Sequence, residues 1–472
     1  MVRTTGPAPS FMTSDNGEPV YRPGLDEDED APREMRVEHD SLGEMPIPAD
    51  AYWGIHTARA LTNFPITRRA LSNHPNLVIA LAMVKQAAAR ANKELGVLRP
   101  ERADLIDQVC QEIIEGELHD QFVLGVLQGG AGTSTNMCAN EIIANRCLEL
   151  MGLPKGDYDS FHPIDHVNRS QSTNDVYPTA IKLAMVFSLR SLLDEHRLLI
   201  ESFTAKGQEF ASILKVGRTQ LQDAVPMTLG QEFRGFATTL GEDQERLGEI
   251  IPWLNEINMG ATAIGTGITA DPRYAESVRR HLSEISGYTM VTAPDLIEAT
   301  SDTGVFMTVS GTLKRAAVKL SKICNDLRLL SSGPQAGFGE ISLPAEGGQL
   351  QLNAFEPVIA SSILQSLAWM TNACRTLRLN CVDGITANEA RLASMVESSV
   401  GVVTALTPYI GYQRSAALAY EALSSDVPVR QLVIERGLMT EAEIAKVLSP
   451  ERLSGVVPPT GAIALPMVPP ED

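Results

Sequence analysis

Aromatic residues make up only 5% of this 472-residue chain, and runs with strand-like alternation are sparse. That scarcity argues against a core built from sheets. The six cysteines (Cys110, Cys138, Cys147, Cys324, Cys374 and Cys381) form no CxxC pair. Most lie in helix-like apolar surroundings, so they read as reduced core thiols, and a cytoplasmic location is expected. None of the eight histidines stands in an HExxH motif, so no zinc ligand set is expected. No apolar run approaches a bilayer span; Leu77 to Val84 is a short core-like stretch, and no membrane association is expected. Met1 to Ser10 has no apolar core after its single arginine, so no signal peptide is expected. There is no basic stripe, and the formal charge of −19 argues against nucleic acid as a partner. An anionic substrate would have to be held by local donors against that field.

What is present is mostly helical pattern. Residues 1–35 carry Pro7, Pro9, Pro19, Pro23, Pro32 and the acidic run Asp26–Asp30, and are expected to form a disordered acidic extension. Apolar residues then recur at three- and four-residue spacing over Leu77–Leu95, Glu101–Leu118, Asn136–Leu150, Pro178–Phe210, Met227–Ile257 and Val305–Leu330. Helices of this length joined by short polar connectors predict a mostly α fold around a long helix bundle. Ile385–Asn388 looks like a boundary, followed by Pro408, Gly411 and a last helical unit near Thr440–Leu448. There Thr440 and Glu443 have capping-box spacing. The expected division is an N-terminal domain over 36–174, a central helical bundle over 175–388 and a C-terminal domain over 389–472.

Three segments concentrate hydroxyls, amides and glycines ahead of helical stretches. They are Gln128-Gly-Gly-Ala-Gly-Thr-Ser-Thr-Asn136, Asn168-Arg-Ser-Gln-Ser-Thr-Asn-Asp175 and Gly217-Arg-Thr-Gln-Leu-Gln-Asp-Ala-Val-Pro226. Helix starts carry unpaired N–H groups and the positive end of the dipole, which favour anions. Taken singly, each is an ordinary capping arrangement. Three in one chain point to a cleft for a small polyanionic substrate bound without metal. Gly265-Thr-Gly267-Ile-Thr-Ala270 superficially matches a dinucleotide fingerprint, but it lacks the preceding strand and βαβ context.

The wording of these segments resembles the aspartase/fumarase superfamily from Arg36 to about Leu453. Gly129–Met137, His166-Val-Asn168 with Gln171–Asp175, Gly217–Ala224 and Gly260–Gly267 look like its signature regions. Tyr52-Trp-Gly-Ile-His-Thr-Ala-Arg59 and Ser172-Thr173-Asn174 are similar to the aspartase forms and not to those of class II fumarases. Gln220 stands where fumarases and some aspartases have histidine. The resemblance implies a three-domain, mostly α fold, a homotetramer, and reversible deamination of L-aspartate to fumarate and ammonia. It implies that Thr133, Ser172, Thr173, Asn174 and Thr219 hydrogen-bond the amino group and carboxylates. It implies that Gln220 orients the substrate or supports the leaving group, without the general-acid capacity of a histidine. His162-Pro-Ile-Asp165 resembles an activator-site stretch with one position changed, giving His162 and Asp165 that role. No cofactor is required on this reading, and divalent-metal activation stays open.

One family element is absent. Members carry Gly-Ser-Ser-x-x-Met-Pro-x-Lys-x-Asn on a loop that follows a segment like Ser332–Pro344. Here Pro344 is followed at once by Ala345–Asn353, which resembles family sequence beyond that loop and the next helix. The serine that abstracts the C3 proton is therefore expected to be missing, and no catalytic base is assigned. His56, His162 and His166 are candidates for a replacement on residue type alone. The alternatives that stay open are a class II fumarase-like hydratase and a catalytically dead relative acting in binding or subunit interaction.

Overall fold

The computed structural model describes residues 34–67, 69–333, 335–343, 356–384, 387, 389–425 and 427–453. The expected acidic extension, apart from Glu34 and Met35, and the Pro344–Ala345 junction lie outside them. The chain divides into two compact units, residues 1–380 and 381–472. The boundary expected at 388 falls inside the second unit, and the one expected at 174 falls at a helix start inside the first.

The first unit opens with an antiparallel hairpin of β1 (Met35–Asp40) and β2 (Gly43–Pro48), in register Met35↔Pro48 to Asp40↔Gly43. Helices α1 (Ile55–Asn63), α2 (Pro75–Glu94), α3 (Pro100–Ile114) and α4 (Thr133–Leu150) follow. Helix α2 packs against α3 and, further along the chain, three more helices. Its buried Ala80, Ala82, Ala87, Ala88, Ala89 and Ala91 allow that close approach, because alanine adds little bulk and gives up no side-chain entropy. The helix expected to reach Leu118 stops at Ile114, since Gly116 (φ +109°) and Leu118 (φ +61°) turn left-handed.

Helix α5 (Thr173–Glu209) is the long axis of the unit, with 37 residues. By length and composition it could cross a membrane, its most apolar window reaching a mean hydropathy of 1.3 with half of that window buried. That qualifies the expectation that no stretch approaches a bilayer span. The helix packs against α2 and carries buried Asp175, Lys182 and His196, as a core helix of a bundle does.

Beyond it come the hairpin of β3 (Leu214–Thr219) and β4 (Gln222–Thr228), then α6 (Leu229–Gly248) and α7 (Ile251–Leu254). The single helix expected over Met227–Ile257 is thus broken. Pro252 sits at the start of α7, where its missing N–H and fixed φ suit a first turn and would disrupt a continuing helix. Strand β5 (Glu256–Ile257) pairs in parallel with β6 (Val291–Thr292), across α8 (Tyr274–Ser286). The unit ends with α9 (Leu296–Ser301), α10 (Gly304–Leu330) and α11 (Glu356–Asn380).

The second unit holds α12 (Glu389–Ser398), α13 (Val403–Ile410), α14 (Tyr412–Ser425), α15 (Val429–Glu435), α16 (Glu441–Val447) and α17 (Pro450–Leu453). Leu406, Leu418, Val433 and Ile444 are at its core. Thr440 caps α16 as its sequence predicts: its hydroxyl accepts from Glu443 N at 3.3 Å while the Glu443 carboxylate accepts from Thr440 N at 2.8 Å.

Candidate active site

The second signature segment becomes the first turn of α5. Ser172 is its N-cap, in extended conformation, with its hydroxyl accepting from Asn174 N at 3.2 Å. Asp175 completes a capping box: one carboxylate oxygen accepts from Ser172 N at 2.9 Å. Its other oxygen accepts from Thr262 N at 2.9 Å and Gly260 N at 3.3 Å. The glycine-rich loop that mimics a dinucleotide fingerprint is thereby pinned beneath the helix start. Burial pushes the Asp175 carboxyl up to about 7, against these N–H donors and the nearby charge of Lys85. The Asn174 amide donates to Ala263 O at 2.6 Å, which leaves its side-chain oxygen at the helix start.

The first signature segment packs against this turn. Thr133 is the first residue of α4 and is exposed; Gly132 before it has φ +83°. A Cβ on Gly132 would lie 2.4 Å from the Tyr177 ring, so only glycine lets the two helix starts meet. Asn136 donates to Thr173 Oγ1 at 3.1 Å and to Asn168 Oδ1 at 3.2 Å. Lys85, fully buried on α2, donates to Asn168 Oδ1 at 2.7 Å and Gln171 Oε1 at 2.9 Å. Thr133, Ser172, Thr173 and Asn174 are therefore brought together at two helix N-termini, where donors and dipoles favour carboxylates.

The third segment departs from expectation. It is not a helix start but the β3–β4 hairpin, whose following helix is capped instead by Thr228, accepting from Gln231 N at 3.1 Å. Thr219 and Gln220 are exposed at its tip, where Gln220 (φ +51°) and Leu221 (φ +64°) make the two-residue turn. The hairpin is rooted at the far end of α5, through Gly230 N to Phe210 O at 3.0 Å. A 37-residue helix is about 55 Å long, and a six-residue strand spans only about 20 Å. With the residues between α5 and β3 included, the chain from Glu209 to Thr219 reaches at most about 35 Å, so within one chain Thr219 and Gln220 stay at least ~20 Å from Ser172. Lys215 and Arg218 also grip Glu340, at 2.8 and 2.5 Å, and Arg218 lies over the Phe338 ring. The hairpin is thus tied to the segment that runs into the Pro344 junction.

Neither His162 nor His166 offers a free base here. His162 caps the turn Pro163–Val167, its Nδ1 accepting from Ile164 N and Asp165 N, both at 3.1 Å. It stands 3.6 Å from the exposed Asp165 carboxylate. His166, at HxxxH spacing from it, accepts from His162 N at 2.8 Å through Nδ1 and is met by Arg102 at Nε2. Burial and then the Arg102 charge push His166 down to about 4. A neutral imidazole has one acceptor nitrogen, and in both rings backbone N–H groups occupy it. His56 is lowered by burial and lies among Asp40, Arg59 and Glu38. Among the described residues, no three His, Cys, Asp or Glu side chains gather into a metal-ligand set.

Residues 43–348 match the profile of a family described as Lyase, and residues 402–455 match one described as Fumarase C C-terminus. The aspartate ammonia-lyase of Pseudomonas aeruginosa is 52% identical over 457 residues, covering 89% of this chain and 96% of that protein. That of Escherichia coli K12 is 46% identical over 458 residues, with the same two shares. This chain belongs to the aspartase/fumarase superfamily. Among solved members, the fumarate lyase:delta crystallin of Brucella melitensis bound to cobalt has a TM-score of 0.66 at 48% identity. It covers 89% of this chain and 100% of its own. The class II fumarase of Schistosoma mansoni has a TM-score of 0.64 at 29% identity, covering 89% and 99%.

These superfamily alignments bear on the missing loop. The 458 aligned positions of the E. coli relative take up 89% of 472 residues, about 420. Some tens of the relative's positions thus face no residue here. The Lyase match stops at 348, just past the Pro344–Ala345 junction. Sequence reasoning also passed over Lys85 and Glu141, which touch the signature segments from other helices. Lys85 had a signal: a lone lysine on an otherwise apolar helix face. Glu141 had none, because its partners are some 85 residues away (85 to His56).

Proposed function

We propose that this protein is an aspartate ammonia-lyase, a carbon–nitrogen lyase acting between L-aspartate and fumarate. On this reading its chain keeps the substrate cradle and lacks the base. The observation that carries the reading is the paired helix start. Ser172, Thr173 and Asn174 sit at the capped end of α5, bonded through Asn136 to the turn that presents Thr133. Relatives named for this activity at 46–52% identity support it over hydration, for which the fumarase neighbour stands at 29%.

In the forward reaction a base removes a proton from C3, the C–H electron pair becomes the C2–C3 double bond, and the amino group leaves as ammonia. Negative charge accumulates on the adjacent carboxylate before the C–N bond breaks. Preorganised neutral donors are suited to holding it. Ser172, Thr173, Asn174 and Thr133 would supply those donors, and Thr219 with Gln220 would complete the site. Since the hairpin tip lies at least ~20 Å away along α5, that completion needs a second copy of the chain, and a homotetramer is the proposed assembly. The six free thiols support a cytoplasmic setting.

With the family loop inserted between Pro344 and Ala345, ammonia addition to fumarate should outrun hydration to L-malate. Faster malate formation would assign the chain to the other branch. Fumarate binding to the chain as it stands tests the cradle. Asn174→Ala should weaken it by about one to two decades, the worth of one hydrogen bond to a charged group. Calorimetry reads this directly, and equal affinity in the variant would place the carboxylate elsewhere.

A further inference from the structure

We infer that Lys85 is a positioning residue: its ammonium holds the turn at Asn168–Gln171 and thereby sets Ser172, Thr173 and Asn174 in register for a dicarboxylate. The inference rests on the cradle proposed above. Helix α2 reaches this turn at two points. Lys85 binds Asn168 Oδ1 and Gln171 Oε1, and about two turns further along Asn92 donates to Arg169 O at 2.8 Å and accepts from Ser170 Oγ at 2.7 Å. The turn needs such a grip, because Ser170 is held at φ +62°, a conformation costly for a residue with a side chain. Asn168 passes the constraint on: its Oδ1 also accepts from Asn136, which in turn binds Thr173 Oγ1.

The lysine is held at a cost to the fold. It is completely buried in a helix whose other buried residues, apart from Gln86 and Asn92, are Leu, Val and Ala, and burial depresses its ammonium to about 7 despite the attraction of Asp175. Cys110, which faces it from α3, is kept neutral because burial raises its thiol. Removing one partner of a buried charged pair is destabilising, because the groups it satisfied are left uncompensated. A lysine present only for packing could be replaced by methionine, of similar length, with the turn undisturbed. One that positions the turn would lose local order there as well as stability.

The test uses the full chain and Lys85→Met. Its melting temperature should fall, since Gln171 Oε1 loses its donor and Asp175 its nearby positive charge. Hydrogen exchange in residues 166–176 should quicken about tenfold, and fumarate affinity in calorimetry should fall about tenfold, as for loss of a charge-assisted bond. Asn174→Ala is the contrast: it weakens fumarate without quickening exchange at 168–171. Unaltered exchange at the turn overturns the inference whatever the melting temperature, as does wild-type fumarate affinity in Lys85→Met. Quickened exchange in a protein that binds no fumarate keeps the grip on the turn and removes the cradle instead. If Lys85→Met does not fold, Asn168→Ala cuts the same link from the other side and must quicken exchange in the turn.

Discussion

Purified chain mixed with L-aspartate is expected to release no fumarate and no ammonia above buffer, and a family Gly-Ser-Ser loop inserted between Pro344 and Ala345 is expected to restore turnover by at least ~10⁴-fold. The C3 proton is weakly acidic, so a base must lie within hydrogen-bond reach of that carbon. A positioned base contributes roughly 10²–10⁴-fold. A donor aimed at the developing oxyanion adds about 10²–10³-fold, and the family loop carries both a serine and a lysine. Nothing described here substitutes for them, since His162 and His166 have their acceptor nitrogens bound to backbone N–H groups. The loop would emerge beside the hairpin, because Glu340, four residues before Pro344, is already clamped by Lys215 and Arg218. Fumarate absorbance and ammonia release measure the rate. Clear turnover by the chain as it stands would overturn the expectation and direct attention to His56. An inert chain even with the loop restored would favour a binding or interaction role.

Glu141→Ala should prevent folding or remove at least ~4 kcal/mol of stability, a large part of the roughly 5–15 kcal/mol margin of a typical domain. Glu141 lies on α4, fully buried, and accepts from Gly54 N, His56 N, Thr57 N and Thr57 Oγ1 at 2.7–3.1 Å. It is the acceptor for the start of α1, which has no side-chain cap of its own. Truncation leaves those four donors facing a void, at about 1–3 kcal/mol for each unsatisfied group. Gly54 shows how tight the pocket is, since a Cβ there would stand 2.3 Å from the Tyr158 hydroxyl and 2.6 Å from Glu38. Burial pushes the Glu141 carboxyl up to about 7, against those donors. Between about pH 4.5 and 7 the folded state thus holds a proton that the unfolded chain has released. Its contribution is fully present below 4.5 and is lost as pH rises through 7. Urea melts across that window should show the decline in the wild type and a flatter profile in Glu141→Gln. A fully stable Glu141→Ala protein would mean that water reaches the start of α1.

Local patterns in this chain carry local structure. The three-and-four spacing of Leu77–Leu95 and Val305–Leu330 became α2 and α10, and Ser172 with Asp175, like Thr440 with Glu443, formed the capping boxes their spacing allows. Those features depend on neighbours within a turn, so the order of residues is enough to specify them. The family wording of the signature segments likewise needs only the residues themselves.

Tertiary structure decided what depends on distance. Gln220 and Leu221 take left-handed conformations without a glycine or asparagine to announce a turn. A segment that reads as a helix start therefore folds as a hairpin, stabilised by Lys215 and Arg218 against Glu340. Lys85 and Glu141 acquire their roles from partners more than eighty residues away in the chain, where no periodicity reaches. The length of α5 separates Thr219 from Ser172, so on the proposed function a second copy of the chain would complete the site.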